Sequence, residues 1–144
     1  MSTVPASAPG AAEATLSLAE ATRRQGEASH PAFSPWVSAN AGSGKTHVLA
    51  QRVIRLLIAG VPPGRILCLT YTKAAAANMA NRVLSILGRW VTLTDTELDA
   101  EIARTDHRPP TPELRAVARR LFAAALETPG GLKIQTIHAF CGGL

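Results

Sequence analysis

A chain of 144 residues with 47% hydrophobic content is sized for one domain with a core of its own and leaves little room for a second. Its 15 Lys and Arg against 10 Asp and Glu give a net charge of +5, which suits a polyanionic partner, while 4% aromatic content leaves few rings for stacking on bases. Cys68 and Cys141 show no metal-type spacing, so both are expected as reduced thiols, packed as small hydrophobes in a reducing compartment.

Residues 1–14 are rich in Ala, Ser and Pro without periodicity, and predict a disordered tail ahead of a domain at 15–144. The tail lacks a basic start followed by an apolar run, and the first arginine is Arg23, so neither a secretory signal nor a transit peptide is expected. From Thr15 a weak helical pattern through Leu16, Ala19 and Ala21 leads to Gln25. Trp36 to Ala39, beside Pro35, is a short apolar run that predicts a buried strand.

That run feeds Ala39-Asn40-Ala41-Gly42-Ser43-Gly44-Lys45-Thr46, which reads as a phosphate-binding loop even though Ala39 stands where the usual pattern has Gly. Small residues let backbone N–H groups wrap a phosphate, Lys45 reaches the β/γ-phosphates, and Thr46 offers a hydroxyl to Mg²⁺. A helix opening near Gly44 adds its unpaired N–H groups and the positive end of its dipole. ATP with Mg²⁺ is the implied ligand.

The helix that follows places Val48, Leu49, Val53, Leu56 and Leu57 on an apolar face, with Gln51, Arg52 and Arg55 opposite, and ends at Gly60 and the Pro62-Pro63 pair. Arg52, Arg55 and Gly60 also interrupt the most apolar segment below bilayer length, so no membrane span is predicted and a cytoplasmic protein is expected. Arg65 to Tyr71 is a nearly continuous apolar run, predicting a parallel-sheet strand covered on both faces. A second strand-to-helix turn at Thr72-Lys73 starts a helix with Met79, Val83, Leu87 and Trp90 inward. Thr94 and Glu97 have capping-box spacing for an acidic helix carrying Leu98 and Ile102. Thr111-Pro112 starts another, with Leu114, Val117, Leu121, Phe122 and Leu126 on one face. Leu132 to Thr136 predicts a third strand running into Ile137-His138-Ala139-Phe140-Cys141.

Three strings in this order, Ala39–Thr46, Thr70–Met79 and Gln135–Cys141, resemble the motifs of UvrD/Rep-like DNA helicases of superfamily one, over roughly residues 25–141. The alanine run after Lys73 and the Thr-Ile-His-Ala-Phe-Cys string are most similar to those of AddA-type helicase–nuclease chains of double-strand break repair, with RecB-type chains nearest. The resemblance implies an α/β fold, the first part of a RecA-like three-layer P-loop domain with a parallel sheet. It implies an ATP-dependent 3′-to-5′ helicase acting on single- and double-stranded DNA, joined to a second subunit in an AddAB-type complex. It places Gln25 on adenine, Ala39 through Thr46 on ATP, and Thr72, Lys73, Thr136 and His138 on single-stranded DNA. Asn78 stands where the family usually has Glu, and Gly142-Gly143 stands where a helix normally follows the third motif.

No Asp-Glu pair and no acidic strand end occurs in these 144 residues, so the groups that hold Mg²⁺ from the second side and orient water are expected beyond them, as are the arginine finger and nuclease residues. The domain is thus read as cut before its acidic strand end, and this length of chain is expected to be inactive alone. A small-molecule kinase is one alternative, although no acceptor lid is evident. A nucleic-acid-binding module with a vestigial loop is the other.

Overall fold

The computed structural model describes residues 17–37, 44–129 and 131–143. The predicted tail, and the loop from Ser38 to Ser43 with Ala39, Asn40, Ala41 and Gly42, lie outside the described residues. Six α-helices and two strands follow in the order α1 (Leu18–Ala28), α2 (Lys45–Ile58), β1 (Leu67–Thr70), α3 (Lys73–Thr92), α4 (Asp95–Asp106), α5 (Pro112–Glu127), β2 (Lys133–Thr136) and α6 (Ile137–Gly142).

Local chemistry starts most of these helices. Ser17, Thr72, Thr94, Thr111 and Thr136 each accept a hydrogen bond from the backbone N–H three residues on, satisfying one donor that the helix leaves unpaired. At α4 the predicted capping box closes, with the Glu97 carboxylate accepting from the Thr94 N–H. That bond holds the Glu97 carboxyl below its ordinary value.

Packing of the helices builds the core. Val83, Leu87 and Trp90 of α3, Leu98 and Ile102 of α4, and Ala118 of α5 are all fully buried, and Val53, Ile54 and Leu57 of α2 close the cluster. The strands pair in parallel, Leu67 with Lys133 through Thr70 with Thr136, and α3 lies across both. Cys68 and Ile134 turn toward that helical layer. Burial there raises the Cys68 thiol above its ordinary pKa.

Several expectations are corrected. The strand is shorter than the apolar run, because Pro63–Arg65 winds into a 3-10 turn and Thr70 bonds forward to the Thr72 carbonyl. Only one sheet face is covered among the described residues: Leu67 and Leu69 are each 43% exposed. Trp36 and Val37 form no strand and are exposed, since no described strand lies beside them to pair with. On α2, Arg55 is buried and Leu49 points outward, because the end of α1 supplies carbonyl and hydroxyl acceptors on what the hydrophobic pattern marks as the polar side. On α5 the buried face is Ala118, Leu121 and Ala125, with Leu126 outside, because small alanines let the helix approach α3 closely. A short α6 does follow the third motif, capped by Thr136, and ends at Gly142-Gly143. Cys141 is exposed rather than packed.

Candidate functional site

Two helices do not follow the usual rule for their first turn. Helices α1, α4 and α5 carry Glu20, Asp95 with Glu97, and Glu113 there, which complement the positive end of the helix dipole. Helices α2 and α3 have no acid in the first turn and begin instead with Lys45 and Lys73, both exposed. A cation at that place works against the dipole, so each of these termini gathers positive charge and backbone donors in one spot, as an anion site does. This pairing of lysines with helix starts is visible in the sequence once the helix boundaries are known.

The start of α2 is distinct in a second way. Its cap is Gly44, at φ +90°, a left-handed conformation that a side chain makes costly, and so the first N–H groups of α2 have no side-chain cap. Gln25, in the last turn of α1, comes up against this point: a Cβ placed on Gly44 would sit 3.1 Å from the Gln25 Nε2. The structure therefore brings together Gln25, Gly44, Lys45 and Thr46, which are separated in sequence.

Thr72 and Lys73 leave the end of β1, and Thr136 and His138 leave the end of β2. Because Thr70 pairs with Thr136, the two turns stand side by side at the same edge of the sheet, about one strand spacing of 4.8 Å apart. Thr72, Lys73 and His138 are exposed, whereas Thr136 is buried at 8% exposure with its Oγ1 accepting from the Ala139 N–H. Thr136 is thus a helix cap first, and Thr72 likewise accepts from the Ala75 N–H, leaving each hydroxyl proton available to an outside acceptor.

Between α2 and α3 runs a cleft of about 760 Å³ lined by Lys45, Thr46, Thr70, Asn78, Met79 and Arg82. It joins the first turn of α2 to the end of β1, and it adds Arg82 to the residues singled out by the motifs. Burial, with the Arg82 charge as the lesser cause, holds the His47 imidazole below its ordinary value of 6.5, so it is neutral at pH 7. Asn78, facing this cleft, brings no negative charge where the family's glutamate would. No group of three or more His, Cys, Asp or Glu with metal-site geometry exists among the described residues, so Thr46 is left as a single hydroxyl donor of the hard-oxygen type that Mg²⁺ takes.

The family model for the UvrD/REP helicase N-terminal domain matches residues 21–144. The chain belongs to that family. Among curated proteins, an ATP-dependent helicase/nuclease chain of the AddA type from Pediococcus pentosaceus is 35% identical over 106 residues, which is 73% of this chain and 7% of that protein. The protein of the same name from Enterococcus faecalis is 37% identical over 105 residues, with the same shares covered. In Levilactobacillus brevis the likeness concentrates to 59% identity over 51 residues, 35% of this chain and 4% of that protein. No solved structure matches the chain with comparable significance. Membership in this family accords with a P-loop NTPase, and the parallel strand pair with helices is the part of such a fold that the described residues contain. The chain spans 7% of the length of the relatives it matches over most of its own. Among the described residues no helix is long and apolar enough to cross a membrane.

Proposed function

We propose that this UvrD/REP-family chain is the opening part of the RecA-like motor domain of an ATP-dependent 3′-to-5′ DNA helicase of the AddA type, acting in double-strand break repair with a second subunit. On this reading the unit at 15–144 stops short of its acidic strand end, and the activity belongs to the intact protein. The observation that carries the reading is the placement of Lys45 and Lys73 at the starts of the two helices that leave the strand-end edge, where every other long helix has an acid.

In that assignment Lys45 and the uncapped N–H groups of α2 hold the triphosphate, and Thr46 gives its hydroxyl to Mg²⁺, together with Ala39 through Ser43 of the loop. The bound nucleotide supplies the free energy of phosphate hydrolysis. Gln25 recognises adenine with its amide, donating from Nε2 to N7 and accepting at Oε1 from the N6 amino group. Thr72, Lys73, Thr136 and His138 grip the backbone of single-stranded DNA with hydroxyl, ammonium and imidazole donors, which positions the strand without reading its sequence.

Substituting Gln25→Ala is expected to weaken ATP more than GTP, since a paired amide–base contact is worth about 1–3 kcal/mol where it occurs on base edges. Equal losses for the two nucleotides in equilibrium titrations would assign Gln25 a structural role. Replacing Lys73 by alanine is expected to weaken single-stranded DNA uniformly across sequences. The slope of log K against log salt should shrink by about 0.7, the value for one phosphate contact on a single strand. An unchanged slope would leave Lys73 a solvated surface lysine.

A further inference from the structure

We propose that Arg55 is the positioning residue for base recognition, fixing helix α1, which carries Gln25, against helix α2, which carries Lys45 and Thr46. The inference rests on the reading of Gln25 as the adenine contact.

Helix α1 has no buried residue of its own. Its place against α2 therefore owes little to apolar packing and depends on polar contacts near its C-terminal end. Arg55, 3% exposed on α2, donates from Nη1 to the Gly26 carbonyl at 2.8 Å and to the Ser29 Oγ at 2.9 Å. Its Nη2 reaches the Asp106 carbonyl at 3.4 Å, and its Nε faces the Asp106 carboxylate at 3.8 Å. That last distance is too long for a hydrogen bond, so Nε has no bonded partner and the pair is held by charge alone. Asp106 is in turn bonded by the Arg108 guanidinium. Gly26 meets the same junction from the other side: a Cβ there would come within 2.9 Å of the His107 Nε2, so α1 can lie this close to the end of α4 only because residue 26 has no side chain. Arg52 fastens the segment beyond α1, donating to the His30 carbonyl at 2.8 Å and the Phe33 carbonyl at 2.7 Å.

Gly26 is the residue next to Gln25, so the Arg55 bond to its carbonyl acts one residue from the amide that abuts Gly44. A buried guanidinium is a poor way to gain stability alone, since its desolvation cost offsets much of its attraction, and apolar replacements often do as well. It is a good way to fix a distance, because the planar donor fork permits few geometries. Amide recognition of a base needs such fixity. A shift of about 1 Å between the helices breaks a paired contact while leaving the phosphate end of the site intact.

The test uses the whole chain and the fluorescent analogues mant-ATP and mant-GTP, with inorganic triphosphate as a competitor that reports the phosphate end alone. Arg55→Met is expected to lower the ATP-to-GTP affinity ratio by a factor of about 2 to 30, the range typical of substitutions that act through a neighbour. Triphosphate affinity should stay unchanged. Combined with Gln25→Ala, Arg55→Met should lower the ratio no further than Gln25→Ala does by itself. Ser29→Ala, which removes one acceptor with little change in volume, should move the ratio the same way and guards against a methionine variant that fails to fold. If Arg55→Met and Ser29→Ala both keep the parent ratio while Gln25→Ala loses it, Arg55 has no positioning role and the adenine reading survives. If Gln25→Ala also keeps the parent ratio, both the inference and the adenine reading are overturned.

Discussion

Substituting Lys45→Ala is expected to abolish nucleotide binding while leaving the fold intact or slightly more stable. The side chain is exposed in the first turn of α2, so its loss opens no cavity. Alanine is the better helix former, and removing a cation from the positive end of the dipole relieves an unfavourable interaction. The cost falls on the ligand. One charge-assisted hydrogen bond is worth about 1.5–3 kcal/mol, or roughly 10- to 150-fold in affinity, and an ammonium that touches two phosphates loses more than one such bond. Titration with ATP alongside a thermal melt separates the two effects. A variant that binds as tightly as the parent would remove the phosphate-loop assignment altogether.

The largest effect on folding is expected from Trp90→Ala. Trp90 is fully buried on α3 in the cluster where the helices converge, and truncating such a residue costs about 3–5 kcal/mol against a total stability of about 5–15 for a typical domain. Its indole N–H is buried without a hydrogen-bond partner among the described residues, a cost of about 1–3 kcal/mol already present in the parent. Trp90→Phe therefore trades lost volume against the removal of an unpaired donor and should be far milder than Trp90→Ala. Urea unfolding gives both values. Near-equal losses for the two variants would mean that the indole is not packed as described. Trp36, 93% exposed, provides an internal contrast in fluorescence: quenching by iodide should reach Trp36 and spare Trp90.

Much of this arrangement is legible in the residues alone, wherever it depends on near neighbours. Thr94 with Glu97, and Thr111 with Pro112, mark their helix starts because capping is a matter of three or four residues. The inward faces of α3 and α4 follow from spacing, and the resemblance to UvrD/Rep-like helicases holds in the family to which the chain belongs. What spacing misses is set by distant partners. Arg55 reads as surface because nothing near it in the chain says that the carbonyls closing α1 point at it. The inward face of α5 is misassigned because Ala118 and Ala125, weak in any hydrophobic pattern, are the residues that permit close approach. Leu67 and Leu69 follow the pattern of a strand covered on both faces, yet one face is bare in the described residues. Of the candidate site, Gln25, Lys45 and Thr46 are brought to one place by the fold, and the structure adds Arg82 and His47 to their surroundings.

The parallel pairing of β1 with β2 has a consequence for the order in which the molecule assembles. Leu67 meets Lys133 only after α3, α4 and α5 have been accommodated between them, so the ladder closes a long loop, and the entropy of that closure must be met before any strand bond forms. The intervening helices carry Val83, Leu87, Trp90, Leu98, Ile102 and Leu121, enough to consolidate through local contacts first. On a ribosome adding about 5–20 residues each second, the turn at Lys73 emerges seconds before the one at His138. For that interval the apolar strand Leu67-Cys68-Leu69 has no partner from its own chain, which makes it the point at which a nascent copy is most open to pairing with the wrong strand.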